Sequence, residues 1–599
     1  MPTNKNIPIK YTSRDFASIK RDLIDYAKRY YPETYRDFSE ASFGSLMTDA
    51  VAYVGDILSF YLDYQINESF LDSAIEYDNV IRLAQQLGYK FQGNPTSYGV
   101  VTFFILVPAN ATTGKGPDAN YLPILQKGTE LASKDGNIFI LTENVNFADP
   151  SNEMVVGRVD EDTGNPTYFV VKVSGKVMSG EIVETSIEVE GHERFRKIEL
   201  AGDNIAEIIS VFDTEGHEYF EVEHLSQDVV YREVMNRETN TDTVKNILKP
   251  FVVPRRFIIE QRRDKFILQF GYGSESEIKS DKIADPSEVV LEMHGRQYVI
   301  DDSFDPSNLV ATDKFGVVPS NTTLIITYRQ NKTTDVNIAT DSLVEVVESA
   351  FVFANIATLD QTLIASVTDS LQVTNESPIV GDVSLPNAVE IKRRAYDHFA
   401  TQNRIVTKQD YVSYIYSMPP KFGSVKRAGI MQDVDSFKRN LNLYVLSESS
   451  DGTLTATNDL IKQNLKVWIN KNRMIHDTID ILDGRIVNIG LIFSIIAEEE
   501  RNKFDVLNDA TKALVNFYEL FPDFGESFKI TDVYSVLNDV DGVLDTYDVE
   551  VVLKTGDPHS DVFYNLKKNM SSDGRLIEFG ENLIWEIKYP YLDIKGVIQ

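Results

Sequence analysis

The alternation of apolar and polar positions divides the chain into three regions. Over residues 1–90, apolar side chains recur every three or four positions, which is the spacing of amphipathic helices. From about Pro95 to residue 345, runs rich in Val, Ile, Phe and Thr are separated by Gly, Asn and Asp, which is typical of β-structure. From Pro386 onward, helical and strand patterns alternate. We therefore predict an α+β multidomain protein with an N-terminal α-helical segment, a β-rich middle region and a C-terminal α+β region.

Shifts in composition give the boundaries of these regions. A chain of 599 residues is too long for a single core, and three or four domains are expected. We predict the following division: helical region 1–94, β-rich middle region 95–345 of one or two subdomains, linker or crossover 346–385, α+β domain 386–545 and β tail 546–599.

The second of the predicted N-terminal helices is unusually apolar. Ser39 or Ser42 is its predicted N-cap, and Gly88 is the predicted stop of the third helix. The apolar residues of the second helix step by four and three, which is the heptad spacing of a packed seam. The residues of this seam are Phe43, Met47, Ala50, Val54, Ile57, Tyr61 and Tyr64. The spacing is compatible with a bundle formed with other chains and with the core of the N-terminal domain itself.

The polar edge of the same helix carries three aspartates, Asp49, Asp56 and Asp63, placed seven residues apart. Seven helical residues rise by about 10 Å, so the three carboxylates are too far apart to bind one metal ion. Charges at this interval also argue against membrane insertion. We expect the acidic edge to be solvated or to contact a basic partner.

The charge balance argues against nucleic-acid binding. Asp and Glu outnumber Lys and Arg by 91 to 59, for a net charge of −32, which repels a phosphate backbone. The densest basic segment, residues 254–265, is interrupted by apolar residues and Glu260, and we interpret it as a strand with solvated basic flanks. The chain has no cysteine, which excludes disulfides and thiolate catalysis and fits a reducing cytosol.

The motifs expected of enzymes are incomplete. In GHEYFEVEH, residues 216–224, Glu221 stands where a zinc-binding helix would need its second His, and the alternation predicts a strand. In FGYGSES, residues 270–276, Ser276 replaces the third Gly of a dinucleotide-binding turn. We predict no catalytic, metal-binding or cofactor-binding residues, although paired carboxylates for glycoside cleavage stay open from sequence alone.

A second candidate interface is the basic run in NAVEIKRRAYDHFATQNRIVT. It consists of Lys392, Arg393, Arg394 and Arg404, an unusual concentration in so acidic a chain. Two interpretations are open: a solvated helix face, or a dimer or ring contact with an acidic neighbour, which raised salt would weaken.

Several segments, taken in order, resemble the baseplate wedge proteins of contractile-tailed, T4-like bacteriophages in the baseplate J-like family. The N-terminal segments are SFGSLMTDAVAYVGDILSFYLDYQINESFLDSA and VIRLAQQLGYK; the middle ones are LPILQKGTELASKDGNIFILTENVNF and EGHEYFEVEHLSQDVVY. The C-terminal ones are NAVEIKRRAYDHFATQNRIVTKQDYVSYI, NLKVWINKNRMIHDTIDI and GESFKITDVYSVLNDVDGVLD. The resemblance extends from about residue 10 to 550, with no counterpart over 100–120 and 330–380.

The resemblance implies a structural virion protein of the tail baseplate, assembled in the host cytoplasm, without enzymatic activity or cofactors. It implies pairing with a second copy and bundling with other wedge proteins, namely smaller subunits and a lysozyme-like subunit next to the sheath. The C-terminal α+β domain would then be the dimerisation or ring-forming domain, in a ring around the hub that rearranges on contraction. The alternatives are a tail-associated glycan hydrolase, a host-binding adhesin, or the equivalent subunit of a type VI secretion or other contractile injection system.

Overall fold

The computed structural model describes most of the chain. The described residues are 15–31, 33, 42–91, 93, 96–110, 116–160, 165–202, 204–236, 246–262, 265–274, 315–381, 383–433, 440–498, 500–519 and 521–598. The chain divides into two compact units. The first unit consists of Met1–Phe91 and Pro386–Phe399, and the second of Gln92–Leu385 and Ala400–Gln599.

In the described chain, helices lie in the first 90 residues and again from residue 361 onward. They are α1 Phe16–Tyr30, α2 Phe43–Asn67, α3 Tyr77–Gln86, α4 Gln361–Asp369, α5 Ala388–Thr401, α6 Lys408–Tyr416, α7 Asp459–Asn470, α8 Lys503–Phe517, α9 Ile530–Asn538 and α10 Pro590–Asp593. Two of the predicted helix ends are confirmed, the N-cap of α2 and the stop of α3. The Ser42 hydroxyl accepts a hydrogen bond from the Ser45 N–H at 3.1 Å, and Gly88 ends α3 at φ +88°.

The strands occupy the middle of the chain and its C-terminal part. The first nineteen are β1 Tyr98–Pro108, β2 Ile124–Leu125, β3 Glu130–Ser133, β4 Ile138–Leu141, β5 Val145–Asn146, β6 Glu153–Val159, β7 Pro166–Ser179, β8 Glu181–Val189, β9 Lys197–Leu200, β10 Ile205–Asp213, β11 Glu218–Glu221, β12 Val229–Met235, β13 Asn246–Val252, β14 Arg256–Gln261, β15 Phe266–Phe270, β16 Thr322–Gln330, β17 Leu343–Glu348, β18 Phe351–Val352 and β19 Gln372–Thr374. The others are β20 Arg427–Gln432, β21 Asn440–Glu448, β22 Leu454–Thr455, β23 Thr478–Asp483, β24 Arg485–Ala497, β25 Phe528–Lys529, β26 Val543–Leu553, β27 Leu576–Ile577, β28 Leu583–Glu586 and β29 Ile594–Ile598.

Two seven-stranded sheets form the β-rich middle region. The first has the order β17-β3-β4-β7-β1-β19, with β6 paired to β7, and the second has the order β8-β16-β10-β11-β14-β15-β9. Each sheet has its own hydrophobic core. Arg329 of β16 is fully buried and donates hydrogen bonds to Glu207, Thr96 and the Ser179 carbonyl, so one side chain links the two sheets.

Residues 346–385, expected as a linker or crossover, contribute to the first sheet instead. Strand β19 pairs with β1, and Ile364 and Val367 of α4 are buried in the core of that sheet. The high content of Thr, Ser and Asn in this segment serves turns and caps. For example, the buried Asn375 side chain accepts hydrogen bonds from the Ser342 and Leu343 N–H groups.

Two smaller sheets, each packed against helices, complete the second unit. Strands β20–β23 pack with α6 and α7, and strands β24, β26, β28 and β29 pack with α8 and α9. The predicted order of helices, β-rich region and C-terminal α+β region is confirmed. The expectation of solvated basic flanks at residues 254–265 was wrong for Arg256, which is fully buried and donates to the Leu225 and Val253 carbonyls.

Candidate assembly interface

Helices α1 and α2 pack against each other through the small and acidic residues of α2. Ala52 is fully buried, and a Cβ at Gly55 would lie 3.3 Å from Ile19 Cδ1 of α1. The Lys20 ammonium lies 2.7 Å from the Asp49 carboxylate. The acidic edge of α2 therefore contacts a basic residue of its own chain. Small residues at the contact allow the two backbones to approach closely, while the bulky residues of α2 point elsewhere.

Apart from the edge that contacts α1, the surface of α2 is largely apolar and exposed. Eleven large apolar side chains on it have exposed fractions between 48% for Met47 and 74% for Phe43. They are Phe43, Leu46, Met47, Val51, Tyr53, Val54, Leu58, Phe60, Tyr61, Leu62 and Ile66. The charged residues of α2 are the three aspartates, and all three are partly buried. This face, which we call the bare face of α2, thus carries no formal charge.

The predicted seam largely coincides with the bare face. Phe43, Met47, Val54 and Tyr61 are exposed, as is Ala50. The other two members, Ile57 and Tyr64, are partly buried. Tyr64 donates to the Glu76 carboxylate at 2.9 Å, and this bond raises the pKa of the tyrosine. The heptad positions therefore lie mostly on a surface of α2 that the rest of the described chain does not cover.

Glu68, just beyond the end of α2, organises the turn toward α3. Its buried carboxylate accepts hydrogen bonds from the Ile75 N–H at 2.7 Å and the Asn79 side chain at 3.0 Å, and also from the Glu76 N–H. The bond from Asn79, reinforced by those from the backbone, lowers the pKa of Glu68. These bonds fix the direction of α2 relative to α3, so the bare face is presented by a rigid element.

Helix α5, far away in sequence, belongs to the same unit as α1–α3. Ile391 and Ala395 are fully buried in a cluster with Val80, Ile81 and Ala84 of α3. A domain boundary at residue 386 would separate α5 from this core, so the N-terminal unit is built from two distant parts of the chain.

Polar contacts fix α5 in this position. The Asp72 carboxylate accepts a hydrogen bond from the Tyr396 hydroxyl at 2.8 Å, and Tyr77 donates to the Pro386 carbonyl at 3.0 Å.

The basic run predicted as a second interface is partly engaged within the chain. Lys392 donates to the Asp72 carbonyl at 2.9 Å. Arg394 lies beside Tyr89, and its positive charge partly offsets the rise in the pKa of Tyr89 that burial causes. Arg393 is exposed on the outer side of α5. Arg404, also exposed, follows α5 in sequence and donates to the Gln402 side chain at 3.0 Å. Within the N-terminal unit, Lys392 is therefore engaged by the chain itself, whereas Arg393 is exposed.

In the part of the chain that the structure describes, no group of three or more His, Asp or Glu side chains is placed to hold a metal ion. The first His of GHEYFEVEH, His217, lies 3.0 Å from Asp213 in a turn, and strand β11 follows as predicted. Among the described helices, none is both long and apolar enough to cross a membrane.

Comparison with known proteins finds a family match for the N-terminal segment. Residues 15–86, which contain α1, α2 and α3, match the family described as "Bacteriophage baseplate protein, N-terminal domain". This segment includes the whole bare face of α2. No curated protein matches the chain.

Among solved structures, a chain of the cryo-EM structure of the anti-feeding prophage (AFP) baseplate, 6-fold symmetrised, covers 97% of this chain and 99% of its own length, at 9% identity and a TM-score of 0.24. A chain of the type VI secretion system TssK-TssF-TssG baseplate subcomplex covers 73% of this chain and 96% of its own length, at 8% identity and a TM-score of 0.25. Neither likeness is close enough to establish a shared fold. The match over residues 15–86 supports a baseplate protein: this segment is similar to the N-terminal domain of bacteriophage baseplate proteins.

Proposed function

We propose that the chain is a structural subunit of the baseplate of a contractile tail or a related contractile injection machine, and that α2 ties it into a helix bundle with other chains. One observation carries the proposal. Helix α2 uses its small and acidic residues for its contact with α1 and leaves eleven large apolar side chains exposed. The segment that does this is the segment that matches a baseplate domain.

The size and composition of the bare face suit a permanent contact. The eleven large side chains are about half to three-quarters exposed and correspond to roughly 1,000 Å² of apolar surface. This area exceeds the roughly 800 Å² that each partner buries in an interface of standard size. The face also lacks charged groups, which obligate interfaces exclude from their centres. An exposed apolar face of this size on an isolated subunit would favour aggregation, so we expect it to be covered in the assembled particle.

The partners follow from the resemblance rather than from the geometry. We propose that the bundle contains a second copy of this chain and other wedge proteins, including smaller wedge subunits and a lysozyme-like subunit next to the sheath. The wedges would join into a ring around the central hub that rearranges on contraction. The proposed role is structural and not enzymatic.

The proposal is tested by placing charges on the bare face. Val54→Asp and Tyr61→Asp in the full-length chain should each abolish co-purification with the other baseplate proteins, because a buried unpaired carboxylate is costly. Both positions are more than half exposed, so folding should be unaffected. Val155→Asp is the matched control, because Val155 in β6 is 67% exposed but lies outside the N-terminal helices.

Circular dichroism and a melting curve would confirm that each variant is folded. Normal co-purification of the folded α2 variants would contradict the proposal. Unfolding or aggregation of these variants alone would instead show that α2 is covered by the rest of its own chain.

A further inference from the structure

Two subdomains of the second unit meet where strand β23 passes into β24. The α6–α7 subdomain contains β20–β23 and the α8–α9 subdomain contains β24–β29, and each has its own hydrophobic core. Gly484 is the residue between β23 and β24, so the chain crosses from one subdomain to the other at a glycine. Because glycine has the greatest backbone freedom of all residues, this position is suited to a hinge.

The side chain of Phe524 lies directly over this crossing. A Cβ at Gly484 would lie 2.3 Å from Phe524 Cζ, and a Cβ at Gly429 in β20 would lie 2.7 Å from Phe524 Cβ. The ring therefore lies in a slot formed by two glycines, and a side chain at either position would displace it. Tyr444 of β21 lies beside the slot, with its ring centroid 6.5 Å from that of Phe524. Phe524 thus fills the space that a change of backbone direction at Gly484 would need.

Phe524 belongs to a short connection between α8 and β25, residues 521–526, which we call the 521–526 strap. The α6–α7 subdomain holds one end of the strap through Arg427 of β20. This side chain is 3% exposed and donates hydrogen bonds to the Pro522 carbonyl at 3.0 Å and the Phe521 carbonyl at 2.7 Å. The Lys426 ammonium also lies 5.4 Å from the centroid of the Phe521 ring. The strap is therefore bound to a subdomain other than the one that contains α8.

The α8–α9 subdomain holds the other end of the strap through strand β28. The Gly525 N–H donates to the Leu583 carbonyl at 3.0 Å, and the Glu526 carbonyl accepts a hydrogen bond from Trp585 Nε1 at 3.0 Å. Both subdomains thus bind the backbone of the strap, one on each side of Phe524. A side chain fixed in this way keeps its position over Gly484 only while the two subdomains keep their relative orientation.

We propose that the 521–526 strap locks a hinge at Gly484, so that the two subdomains behave as one rigid body while Phe524 occupies its slot. Closely packed contacts of this kind change between discrete arrangements and do not deform continuously. In the proposed baseplate, the region would therefore transmit movement as a single body. The lock itself is a property of the isolated chain, so its failure would leave the proposed function unaffected.

The absence of cysteine allows the lock to be tested with pairs of spin labels. Ile475→Cys combined with Phe563→Cys in the full-length chain places one label in each subdomain, at positions that are 93% and 76% exposed. Phe504→Cys combined with Phe563→Cys is the control pair, because both positions lie in the α8–α9 subdomain, and Phe504 is 79% exposed. Double electron–electron resonance measures the distribution of distances within each pair.

Two variants release the lock in different ways. Phe524→Ala empties the slot, and Gly484→Ala displaces the ring without changing the strap. Phe351→Ala removes a partly buried ring from the first large sheet and controls for a general loss of stability. For the pair at positions 475 and 563, we expect one narrow distribution in the unmodified chain and at least a doubling of its width in both release variants. The width should stay unchanged in Phe351→Ala and in the control pair.

A broad or bimodal distribution in the unmodified chain would overturn the inference, as would an unchanged width in both release variants or equal widening of the control pair. Circular dichroism shows whether each variant is folded. Unfolding of both release variants would also overturn the inference, because a lock is separable from the folding of the subdomains that it joins. None of these results affects a baseplate location established by imaging of the assembled particle.

Discussion

The Nζ atom of Lys20 in α1 lies 2.7 Å from the Oδ1 atom of Asp49 in α2. This ion pair places the acidic edge of α2 at the contact between the two helices, where Gly55 also lies against Ile19. The fully buried Ala52 is three positions from each of Asp49 and Gly55, which puts it on the same side of α2. In most amphipathic helix pairs the bulky apolar residues form the contact and the charged residues face water. Here the order is reversed, and the apolar face is left exposed.

The contact between α1 and α2 should depend on small side chains more than on this ion pair. Ala52→Leu inserts three carbon atoms into a closely packed contact and should destabilise the helix pair by about 1–3 kcal/mol. Lys20→Met should cost less than about 1 kcal/mol, because the pair is partly solvated. Hydrogen exchange of peptides within residues 43–67 measures both effects. Equal protection in the two variants would contradict the small-residue contact.

Acid should loosen the turn between α2 and α3. Hydrogen bonding from Asn79 and the backbone holds the pKa of Glu68 below its ordinary value of 4.5. The stabilisation is therefore complete above about pH 4.5 and is lost as the pH falls through the lower pKa of the folded state. Hydrogen exchange of residues 68–91, corrected for its intrinsic pH dependence, should show protection falling on acidification.

Glu68→Gln is the matched variant for this prediction. It should show weaker protection at neutral pH and less change on acidification, because the amide cannot ionise. An acid response in Glu68→Gln equal to that of the unmodified chain would assign the effect to another group.

Glu586 should show the opposite pH dependence. Burial raises its pKa above 4.5, although its carboxylate accepts hydrogen bonds from the Leu454 N–H at 2.8 Å and from Asn488 at 3.0 Å. The folded state therefore binds the proton more tightly than the unfolded state, and stability falls as the pH rises from 4.5 through the folded-state pKa.

Denaturant unfolding of the full chain, repeated across this pH range, should show a free energy of unfolding that falls as the pH rises. The slope of this fall against pH should be smaller in Glu586→Gln. If the variant retained the unmodified slope, Glu586 would not be its source.

Arg329 should be essential for joining the two large sheets. It is fully buried, and Arg329→Met leaves the Glu207 carboxylate and the Ser179 carbonyl without their partner, at a cost of about 3–5 kcal/mol. Lys332→Met is the control, because Lys332 forms a half-exposed ion pair with Glu181 and should cost less than about 1 kcal/mol. Denaturant unfolding compares the two variants, and similar midpoints would contradict the role of Arg329.

The sequence predicted local structure well because short-range patterns determine it. Ser42 as the cap of α2, Gly88 as the stop of α3 and the order of regions all follow from propensity and periodicity. Periodicity also located the apolar face of α2. It did not reveal which face α1 covers, because that depends on the small residues Ala52 and Gly55, which a hydrophobic pattern does not weigh.

Contacts between distant parts of the chain could not be predicted from the sequence. Nothing near Lys392 in sequence indicates that its partner is the Asp72 carbonyl, 320 positions away. Similarly, the polar composition of residues 346–385 suggested a linker, although β19 pairs with β1. Arg256 looked like a solvated flank because charge alone gave no sign of the backbone carbonyls that satisfy it.

The most direct test of the central claim is the accessibility of the bare face of α2 before and after assembly. Val54→Cys introduces a single thiol at a position that is 54% exposed in this cysteine-free chain. Its rate of reaction with a maleimide is measured in the isolated chain and in the assembled baseplate, with Val155→Cys as the control. We predict at least a tenfold slower reaction at position 54 after assembly and a smaller change at position 155. An unchanged rate at position 54 in the assembled baseplate would contradict the claim that α2 joins an intermolecular bundle.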